Sequence, residues 1–290
     1  FLAAETIRGS RRWIDLGVIQ FQPSELGKVL FVLAIAGFLV ERAGRITRWR
    51  TVLAALGLGA IPVLFVFLQP DLGTALVYGA ALLAMLFFVG VRWRHLATLL
   101  LAGVLLVVAA LWLLPAAGVQ VLKPYQMERV QSLLDPSRDP QGLTWNVTQS
   151  KTAVGAGGLT GRGVVDASQT RLDYLPEHAT DFAFASLAEQ RGFVGCAILL
   201  LLYLLVVWRG LRVITVSGDL YGVVVAGGLV FGLLFQIFVN VGMTMGIAPV
   251  TGIPAPFLAV GGSSLVTNLV LIGVLQGIHA RGVNGARAGT

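Results

Sequence analysis

Charged residues are scarce in this sequence: they make up 12% of its 290 residues, whereas 56% are hydrophobic, and the mean hydropathy is +0.83. A soluble core of this size needs less apolar content. The composition therefore excludes an ordinary water-soluble domain and indicates an integral membrane protein. The apolar runs are continuous and do not alternate with period two, which favours transmembrane helices over a barrel.

Cysteine and histidine are also sparse. Cys196 is the single cysteine, so no intrachain disulfide can form, and the three histidines lack the spacing of zinc ligands. The glycine-rich stretch GAGGLTGRG, residues 155–163, lacks the GK[ST] ending of a phosphate-binding loop and follows no predicted strand. We therefore expect a tight turn there, and no nucleotide, haem or zinc. A magnesium-type ion held by a carboxylate and a substrate diphosphate stays open.

Seven apolar stretches predict seven membrane-spanning helices, at residues 24–41, 51–68, 72–90, 95–115, 182–208, 220–246 and 263–280. Basic residues follow the first, third, fifth and seventh: Arg42, Arg45, Arg48 and Arg50, then Arg92 and Arg94, then Arg209 and Arg212, then Arg281 and Arg287. These clusters fall on one face, which the positive-inside rule makes cytosolic. The net charge of +7 is thus explained by topology, and we expect no nucleic-acid partner.

The opposite, outer face carries the short turn QPD, a large loop of residues 116–181 and the proline- and glycine-rich residues 247–262. Loops of such length without structure are uncommon unless they are functional. We expect its stretch NVTQSKTAV to form a short amphipathic helix at the membrane interface. The loop ends in LDYLPEHATDFAF, which gathers Asp173, Glu177, His178 and Asp181 before an apolar span. Asp181 is the last polar residue before that span.

A charged pair is predicted in PSELGKVLF. Pro23 suits the first turn of a helix, and Glu25 and Lys28 are then spaced i, i+3 on one helical face near the outer boundary. This arrangement is either a structural ion pair that lets the helix enter lipid or a pair that lines a polar cavity.

Two further outer-face stretches are candidates. GSRRWIDLG places Arg11 and Arg12 outside, against the basic-inside trend. In GIPAPFLAVGGSSL, two prolines break the helix ahead of Ser263. This second stretch is either an ordinary interhelical loop with a serine cap or non-helical backbone that lines a wet cavity.

Seven stretches, in order, resemble the RodA/FtsW (SEDS) family: RRWIDLG, FQPSELGK, QPDLGTA, YQMERVQSLLDPSRDPQG, QSKTAVGAGGLTGRG, YLPEHATDFAFASLAEQRGFVG and VTGIPAPFLAVGGSSL. The fourth is closer to the RodA, elongation-type branch. This sequence has HAT where many relatives have HT preceded by another residue, which leaves the register of the following aspartate intact. The resemblance implies a polytopic all-α bundle of about ten transmembrane helices in a single integral membrane domain. We therefore expect residues 1–290 to lack the first three or so of these helices.

The resemblance also implies a function. Such proteins are peptidoglycan glycosyltransferases that polymerise lipid II at the outer face of the bacterial cytoplasmic (inner) membrane during cell elongation and shape maintenance. They work with a class B penicillin-binding protein, a transpeptidase, and with other membrane proteins of the elongation complex. Two alternatives stay open: a lipid II flippase or transporter with Glu25 and Lys28 in its path, and a non-catalytic scaffold of the wall-synthesis complex.

Site residues follow from matching the family's motifs. Asp181 falls on the family's essential aspartate, and we expect it to act as the general base that activates the acceptor 4-hydroxyl. The leaving diphosphate needs positive charge, for which the candidates are Arg11, Arg12, Lys28, Lys151 and Arg171. A divalent cation, Mg or Mn, could bridge it to Asp181. Supporting roles are expected for Trp13, Glu25, Glu177, His178 and Ser263. Trp13 contacts the prenyl chain or a sugar ring, or else anchors the chain at the interface.

Overall fold

Three short strands open the part of the chain that the structure describes. The computed structural model describes residues 5–7, 10–15, 20–118, 126–129, 133 and 142–288. Strands β1 Glu5–Ile7, β2 Ser10–Asp15 and β3 Gln20–Phe21 pair antiparallel in the order β1-β2-β3. The sequence predicts no strand here, so this ribbon is an addition to the all-α architecture. Its pairing satisfies backbone polar groups locally, which matters where a chain approaches lipid.

The remaining regular elements of the described chain are helices. The helices are α1 Pro23–Glu41, α2 Trp49–Leu68, α3 Leu72–Phe88, α4 Trp93–Ala116, α5 Leu143–Gly157, α6 Ser168–Arg171, α7 Ala183–Val216, α8 Leu220–Thr244 and α9 Gly262–Ala288. Helix α4 includes a π-helical turn at Ala109–Leu113. The predicted helix over NVTQSKTAV is confirmed as part of α5, and Pro23 lies in the first turn of α1 as predicted.

Six of the described helices are long and apolar enough to cross a membrane: α1, α2, α4, α7, α8 and α9. The predicted third span is present as α3, whose 17 residues extend about 26 Å, against a hydrocarbon core about 30 Å thick. Helix α3 begins inside the bundle, because its cap Asp71 is only 4% exposed and accepts a hydrogen bond from the Thr74 amide at 3.0 Å. The predicted polytopic helix bundle is confirmed, and the chain is a multi-pass membrane protein.

Two helices run further than the apolar pattern predicts. Helix α7 ends at Val216 and α9 at Ala288, whereas the predicted spans end at residues 208 and 280. Arg209 and Arg212 are therefore part of α7, and the Arg212 guanidinium lies 4.8 Å from the centre of the Trp208 ring. Arginine favours the helix and can stack on an aromatic ring, so helical structure continues beyond the end of the apolar run.

Helix α7 is broken near its start. Gly192 has φ 64° and ψ −163°, which is not helical and lies in a region that favours glycine. The break separates a short arm, residues 183–191, from the long apolar part, residues 193–216. The short arm follows Asp181 directly, so the candidate aspartate precedes this arm and not the long apolar part itself.

Helix α8 forms the centre of the described bundle and α4 its edge. In the most apolar window of α8, 72% of the residues are buried, against 0% in α4. The core joins α8 to α1 and α3 through fully buried side chains that include Val32, Leu39, Met85 and Val224. Side chains of α8 are thus held in place from several directions.

The bundle has two distinct ends. The loop end carries α5, α6 and the connections around residues 69–71 and 245–261. The opposite, arginine end carries the starts of α2 and α4, which meet where the rings of Trp49 and His95 lie 4.1 Å apart. Successive long helices alternate in direction, so the starts of α1, α3, α7 and α9 all lie at the loop end.

Candidate active site

The connection between α8 and α9, residues 245–261, is non-helical and enclosed by protein. Thr251, Ile253 and Ala255 in this non-helical segment are each no more than 3% exposed. Four of its carbonyl oxygens accept from side chains elsewhere: Thr251 O from Arg129 Nη1 at 2.9 Å, Ile253 O from Asn240 Nδ2 at 2.7 Å, Pro254 O from Gln236 Nε2 at 3.0 Å and Pro256 O from the Tyr203 hydroxyl at 2.6 Å. These bonds replace the helical ones that the prolines remove, and irregular backbone survives at membrane depth only with such partners.

Asp181 lies against this segment. The Asn240 side chain bridges the two, because its Nδ2 donates to the Asp181 carbonyl at 3.0 Å as well as to Ile253 O. Gly252 has φ 74°, and a Cβ placed on it would lie 3.6 Å from Asp181 Oδ2. The carboxylate therefore rests beside a residue that has no side chain, and Asp181 stays half-buried.

The predicted pair of Glu25 and Lys28 is present. Lys28 Nζ lies 2.9 Å from Glu25 Oε2, and Glu25 is 3% exposed. Lys28 Nζ also donates to Gln236 Oε1 at 3.4 Å, which links the pair to α8. The other end of the Gln236 amide holds Pro254 O. The pair is thus tied to the same segment on which Asp181 lies.

Helix α8 sets the spacing between Lys28 and Asp181. Gln236 and Asn240 are one turn apart, so their contacts are separated by about 6 Å along the helix axis. Lys28 lies at the deeper level and Asp181 at the level nearer the loop end. A cation and a carboxylate on neighbouring turns are the two kinds of group that a transfer from a diphosphate needs.

Lys28 also lies at the end of a cavity between α1, α3, α8 and α9. The polar side chains of its lining are Lys28, Tyr78, Gln236, Thr267 and Asn268. Further towards the arginine end, its lining residues on α1, α8 and α9 carry no polar side chain: Val29, Phe31, Val32, Gly228, Leu229, Gly232, Leu233 and Leu271. The polar part of the cavity therefore belongs to the loop end.

Ser263 joins three separate stretches of the sequence. Its Oγ accepts from the Gln22 amide at 2.9 Å, and Gln22 Nε2 donates to Asp71 Oδ2 at 2.8 Å. The stretches FQPSE, QPD and GGSS thus meet at the loop end, beside the start of α1. Ser263 is 3% exposed, which fits a role in holding these stretches together.

Lys151 lies on α5 at the level of the end of α8. The neighbouring Ser150 hydroxyl donates to Thr244 O at 2.8 Å and is fully buried, which fixes α5 against α8. The Lys151 side chain runs over Gly246 and, with Thr144, Val147 and Pro249 among others, lines a small pocket. Lys151 is exposed and continues the series of cations towards the loop end.

Four predicted site residues have no described contact with the residues around Asp181 and Lys28: Arg11, Arg12, Trp13 and Arg171. Arg11, Arg12 and Trp13 lie in β2, and their side chains fall outside the described part of the structure. Arg171 ends α6 and is exposed. Their proposed contacts with substrate stay predictions.

Glu177 and His178 contact their own turn. Glu177 Oε2 accepts from the Thr180 hydroxyl at 2.9 Å, and His178 Nδ1 lies 3.5 Å from Asp173 Oδ1. The Phe182 amide donates to Glu177 O at 3.1 Å. These contacts fit the expected role of ordering the turn that carries Asp181.

Four polar residues of the site are not among the predicted candidates: Arg129, Tyr203, Gln236 and Asn240. Two of them carry a signal in the sequence, because LLFQIFVNVG places an amide on successive turns of an apolar span. Polar side chains inside a membrane span are functional candidates by default. The role of Arg129 could not be read in the same way, since it depends on a contact with a residue distant in sequence.

Residues 158–163 of the glycine-rich stretch form a turn, as predicted, whereas residues 155–157 are the end of α5, and the turn packs against the break in α7. The amides of Arg162 and Gly163 donate to the carbonyls of Glu189 and Gln190 at 2.9 and 3.0 Å, and the Phe193 amide donates to Gly158 O at 2.8 Å. These bonds satisfy backbone groups that the break at Gly192 exposes. The turn therefore holds the short arm of α7 in place.

Glu189 fixes the same arm from the other side. It is fully buried, and its oxygens accept from the Gln169 amide at 2.8 Å, the Thr170 amide at 2.9 Å and the Thr170 hydroxyl at 2.7 Å. The two amides belong to α6, whose N-terminal region favours a negative charge. Glu189 thus joins α6 to α7.

Metal binding by side chains alone has little support in the described residues, which contain no group of three or more histidine, cysteine or acidic side chains that could hold an ion. An ion of the magnesium type needs only one or two protein carboxylates when substrate phosphates supply further oxygens. Asp181 fits that limited requirement, because the residue is half-buried and its carboxylate lies beside Gly252 of the non-helical segment.

Comparison with known proteins identifies the family. Residues 1–283 match the family of cell cycle proteins that comprises FtsW, RodA and SpoVE. The chain belongs to this family. It is 41% identical over 272 residues to the peptidoglycan glycosyltransferase MrdB of Escherichia coli (strain K12), an alignment that covers 94% of this chain and 71% of MrdB. The resemblance seen in the sequence motifs is confirmed.

Two solved structures of family members are also similar. One is from a peptidoglycan synthase complex described as coordinating polymerization and crosslinking: it is 35% identical with a TM-score of 0.77, covering 97% of this chain and 76% of that one. The other is the rod shape determining protein RodA of Thermus thermophilus, which is 30% identical with a TM-score of 0.62, covering 96% of this chain and 72% of that one. Both support the helical membrane fold described above.

Proposed function

We propose that this chain is a peptidoglycan glycosyltransferase that polymerises lipid II at the outer face of the bacterial cytoplasmic membrane, in the elongation-type role of RodA. The observation that carries the proposal is the position of Asp181 against the non-helical segment. Asn240, which contacts Asp181, lies one turn of α8 from Gln236, which contacts Lys28. Membership of a family whose relatives are named peptidoglycan glycosyltransferases supports it. The loop end of the bundle is then the outer end, opposite the arginines.

Asp181 serves as general base. The 4-hydroxyl of the acceptor sugar attacks the anomeric carbon of the donor, and the carboxylate accepts the hydroxyl proton as the new C–O bond forms. The bond between the anomeric carbon and the lipid diphosphate breaks, and the electron pair leaves with the diphosphate. Because a diphosphate leaves without a proton, this reaction does not need the second carboxylate that glycoside hydrolysis uses.

Cations stabilise the leaving diphosphate. Lys28 is the best placed of the described candidates, since its ammonium is fixed by Glu25 and Gln236 at the polar end of the cavity. Lys151 lies nearer the loop end, and Arg11, Arg12 and Arg171 remain candidates for the outer part of the diphosphate. Fixed positive charge in a site of low dielectric stabilises developing negative charge without reorganisation.

A divalent cation such as Mg or Mn is a further part of the proposal. Asp181 would hold it together with diphosphate oxygens, and the ion would neutralise charge on the leaving group. Turnover that is abolished by a chelator and restored by one divalent metal would support this part, whereas turnover unaffected by chelation would contradict it.

A class B penicillin-binding protein is the proposed partner, together with other membrane proteins of the elongation complex. The similarity to a chain from a complex that coordinates polymerization and crosslinking supports this partner. The partner would cross-link the glycan strands at the outer face, where the loop end presents them.

Transport of lipid II is the competing function. A transporter needs a polar path that continues to the other end of the bundle, and the cavity lining from Lys28 towards the arginine end becomes apolar on α1, α8 and α9. This pattern supports chemistry at the loop end over passage through the bundle. The relatives that are named peptidoglycan glycosyltransferases support an enzyme over a scaffold.

A reconstitution tests the proposal against both alternatives. Purified protein is placed in liposomes, and lipid II is supplied only to the outer leaflet. A polymerase makes glycan strands from this pool, whereas a transporter moves lipid II to the lumen without polymer. A scaffold does neither alone. Absence of polymer with the penicillin-binding partner present would contradict the proposal.

A further inference from the structure

Asn240 contacts both the backbone of Asp181 and the segment beneath it. Its Nδ2 donates to Asp181 O at 3.0 Å and to Ile253 O at 2.7 Å. Both partners are carbonyl oxygens, which only accept, so the opposite orientation of the amide would set oxygen against oxygen. One side chain on α8 therefore joins two stretches that are distant in sequence.

The oxygen of the same amide, Oδ1, carries a cost in stability. Asn240 is 1% exposed, and its Oδ1 is buried without a donor among the described residues. An apolar side chain would avoid this penalty but would take the donor away from the carbonyls of Asp181 and Ile253. The amide therefore accepts one unpartnered oxygen in return for a contact that ties the main chain of Asp181 to the non-helical segment.

We infer that Asn240 is a positioning residue that fixes the Asp181 carboxylate over Gly252, and this inference rests on the proposed role of Asp181 as base. Asn240 is too buried to touch substrate. It acts through the backbone of Asp181, whose position it ties to α8, the best-enclosed helix of the described bundle. The same helix holds Lys28 through Gln236, so the distance between base and cation is set by one rigid element.

The variants Asn240→Ala and Asn240→Ser test the inference. Alanine removes both donors, whereas serine keeps one hydroxyl donor, which can serve only one of the two carbonyls. Because a displacement of about 1 Å at a reacting group can cost on the order of 100-fold, we expect Asn240→Ala to lower kcat roughly 10- to 100-fold. Asn240→Ser should fall between Asn240→Ala and the wild type. KM for lipid II should change less than about twofold, since Asn240 binds no substrate.

Thr244→Val is the matched control. Thr244 is one turn further along α8, is fully buried, and its hydroxyl donates only to Val241 O of its own helix. Thr244→Val removes a buried polar group of α8 at nearly constant side-chain volume and does not release Asp181. We expect its kcat and KM to match those of the wild type.

Hydrogen exchange supplies a readout that does not depend on activity. In full-length protein in detergent, Asn240→Ala should speed exchange of the amides around residues 177–186 and 251–256, whereas Thr244→Val should not. Wild-type kcat in Asn240→Ala, or a fall in kcat shared by Thr244→Val, would overturn the inference. Unchanged exchange at both stretches would overturn it as well. Wild-type protein that makes no polymer would instead refute the proposed function, and the exchange data would still decide whether Asn240 fixes Asp181.

Discussion

Asp181 precedes the short arm of α7, Glu189 lies near the other end of that arm, and the fold holds the two residues in different ways. Glu189 is fully buried, and three donors from Gln169 and Thr170 bind its oxygens. Asp181 is half-buried, is held through its backbone by Asn240, and sets its carboxylate beside Gly252. A carboxylate that is fully buried among donors serves the structure, whereas a half-buried one whose main chain is fixed suits chemistry.

Moving the Asp181 carboxylate should give the largest effect. Asp181→Glu keeps the charge but adds one methylene, which displaces the group from Gly252, and we expect turnover to fall on the order of 100-fold. The Asn240 contact is to the main chain, so the thermal unfolding midpoint should stay close to that of the wild type. Wild-type turnover in Asp181→Glu would contradict the view that the Asp181 carboxylate, unlike that of Glu189, takes part in the reaction.

Lys28→Met should give the next largest effect. Removing a fixed cation from the diphosphate should lower turnover about tenfold. The loss is smaller than for a cation without a partner, because Glu25 already neutralises part of the charge of Lys28. Glu25→Gln is the control, since it keeps Lys28 and breaks only the pair. If Lys28→Met changes thermal stability but leaves lipid II binding and turnover intact, the pair is structural.

Glu189→Gln should affect stability and spare turnover. Glutamine has one acceptor oxygen in place of two, so it cannot accept from Gln169 and from Thr170 as the carboxylate does, and we expect a loss of about 2 kcal/mol in the free energy of unfolding. Turnover per folded molecule should stay near that of the wild type. Gln190→Ala is the neighbouring control, because Gln190 donates only within its helix, to Ser186. A loss of turnover without a loss of stability would give Glu189 a role in the reaction.

Arg171→Ala should have the smallest effect. Arg171 is a candidate for the outer part of the diphosphate, but it is exposed at the end of α6, where solvent and salt screen its charge, so turnover should fall by less than about twofold. A larger fall in lipid II turnover would place the end of α6 at the diphosphate and strengthen the original prediction for Arg171.

The sequence predicts the spans well because continuous apolar runs demand helices in lipid. It also predicts the pair of Glu25 and Lys28, since a spacing of three residues on a helix is enough to join them. The aspartate at the start of the fifth span is singled out by its place at the edge of an apolar run, and the family motifs give it a proposed role.

Long-range contacts account for what the sequence could not predict. The break at Gly192 pairs with a distant glycine-rich turn, and nothing in the local run QRGFVG indicates that partner. The four carbonyls of the non-helical segment find their donors on three separate parts of the chain. The strand that carries Arg12 is likewise formed by pairing with neighbours and not by an alternating pattern.

Asp181→Asn tests the central claim most directly, because it removes the charge and the proton-accepting ability without changing the size of the side chain. Polymer formed from purified lipid II should be measured per folded molecule, with binding of lipid II followed in parallel. We predict that polymerisation falls at least about 100-fold while the unfolding midpoint and lipid II binding match the wild type. Undiminished polymer from Asp181→Asn would contradict the assignment of Asp181 as the base.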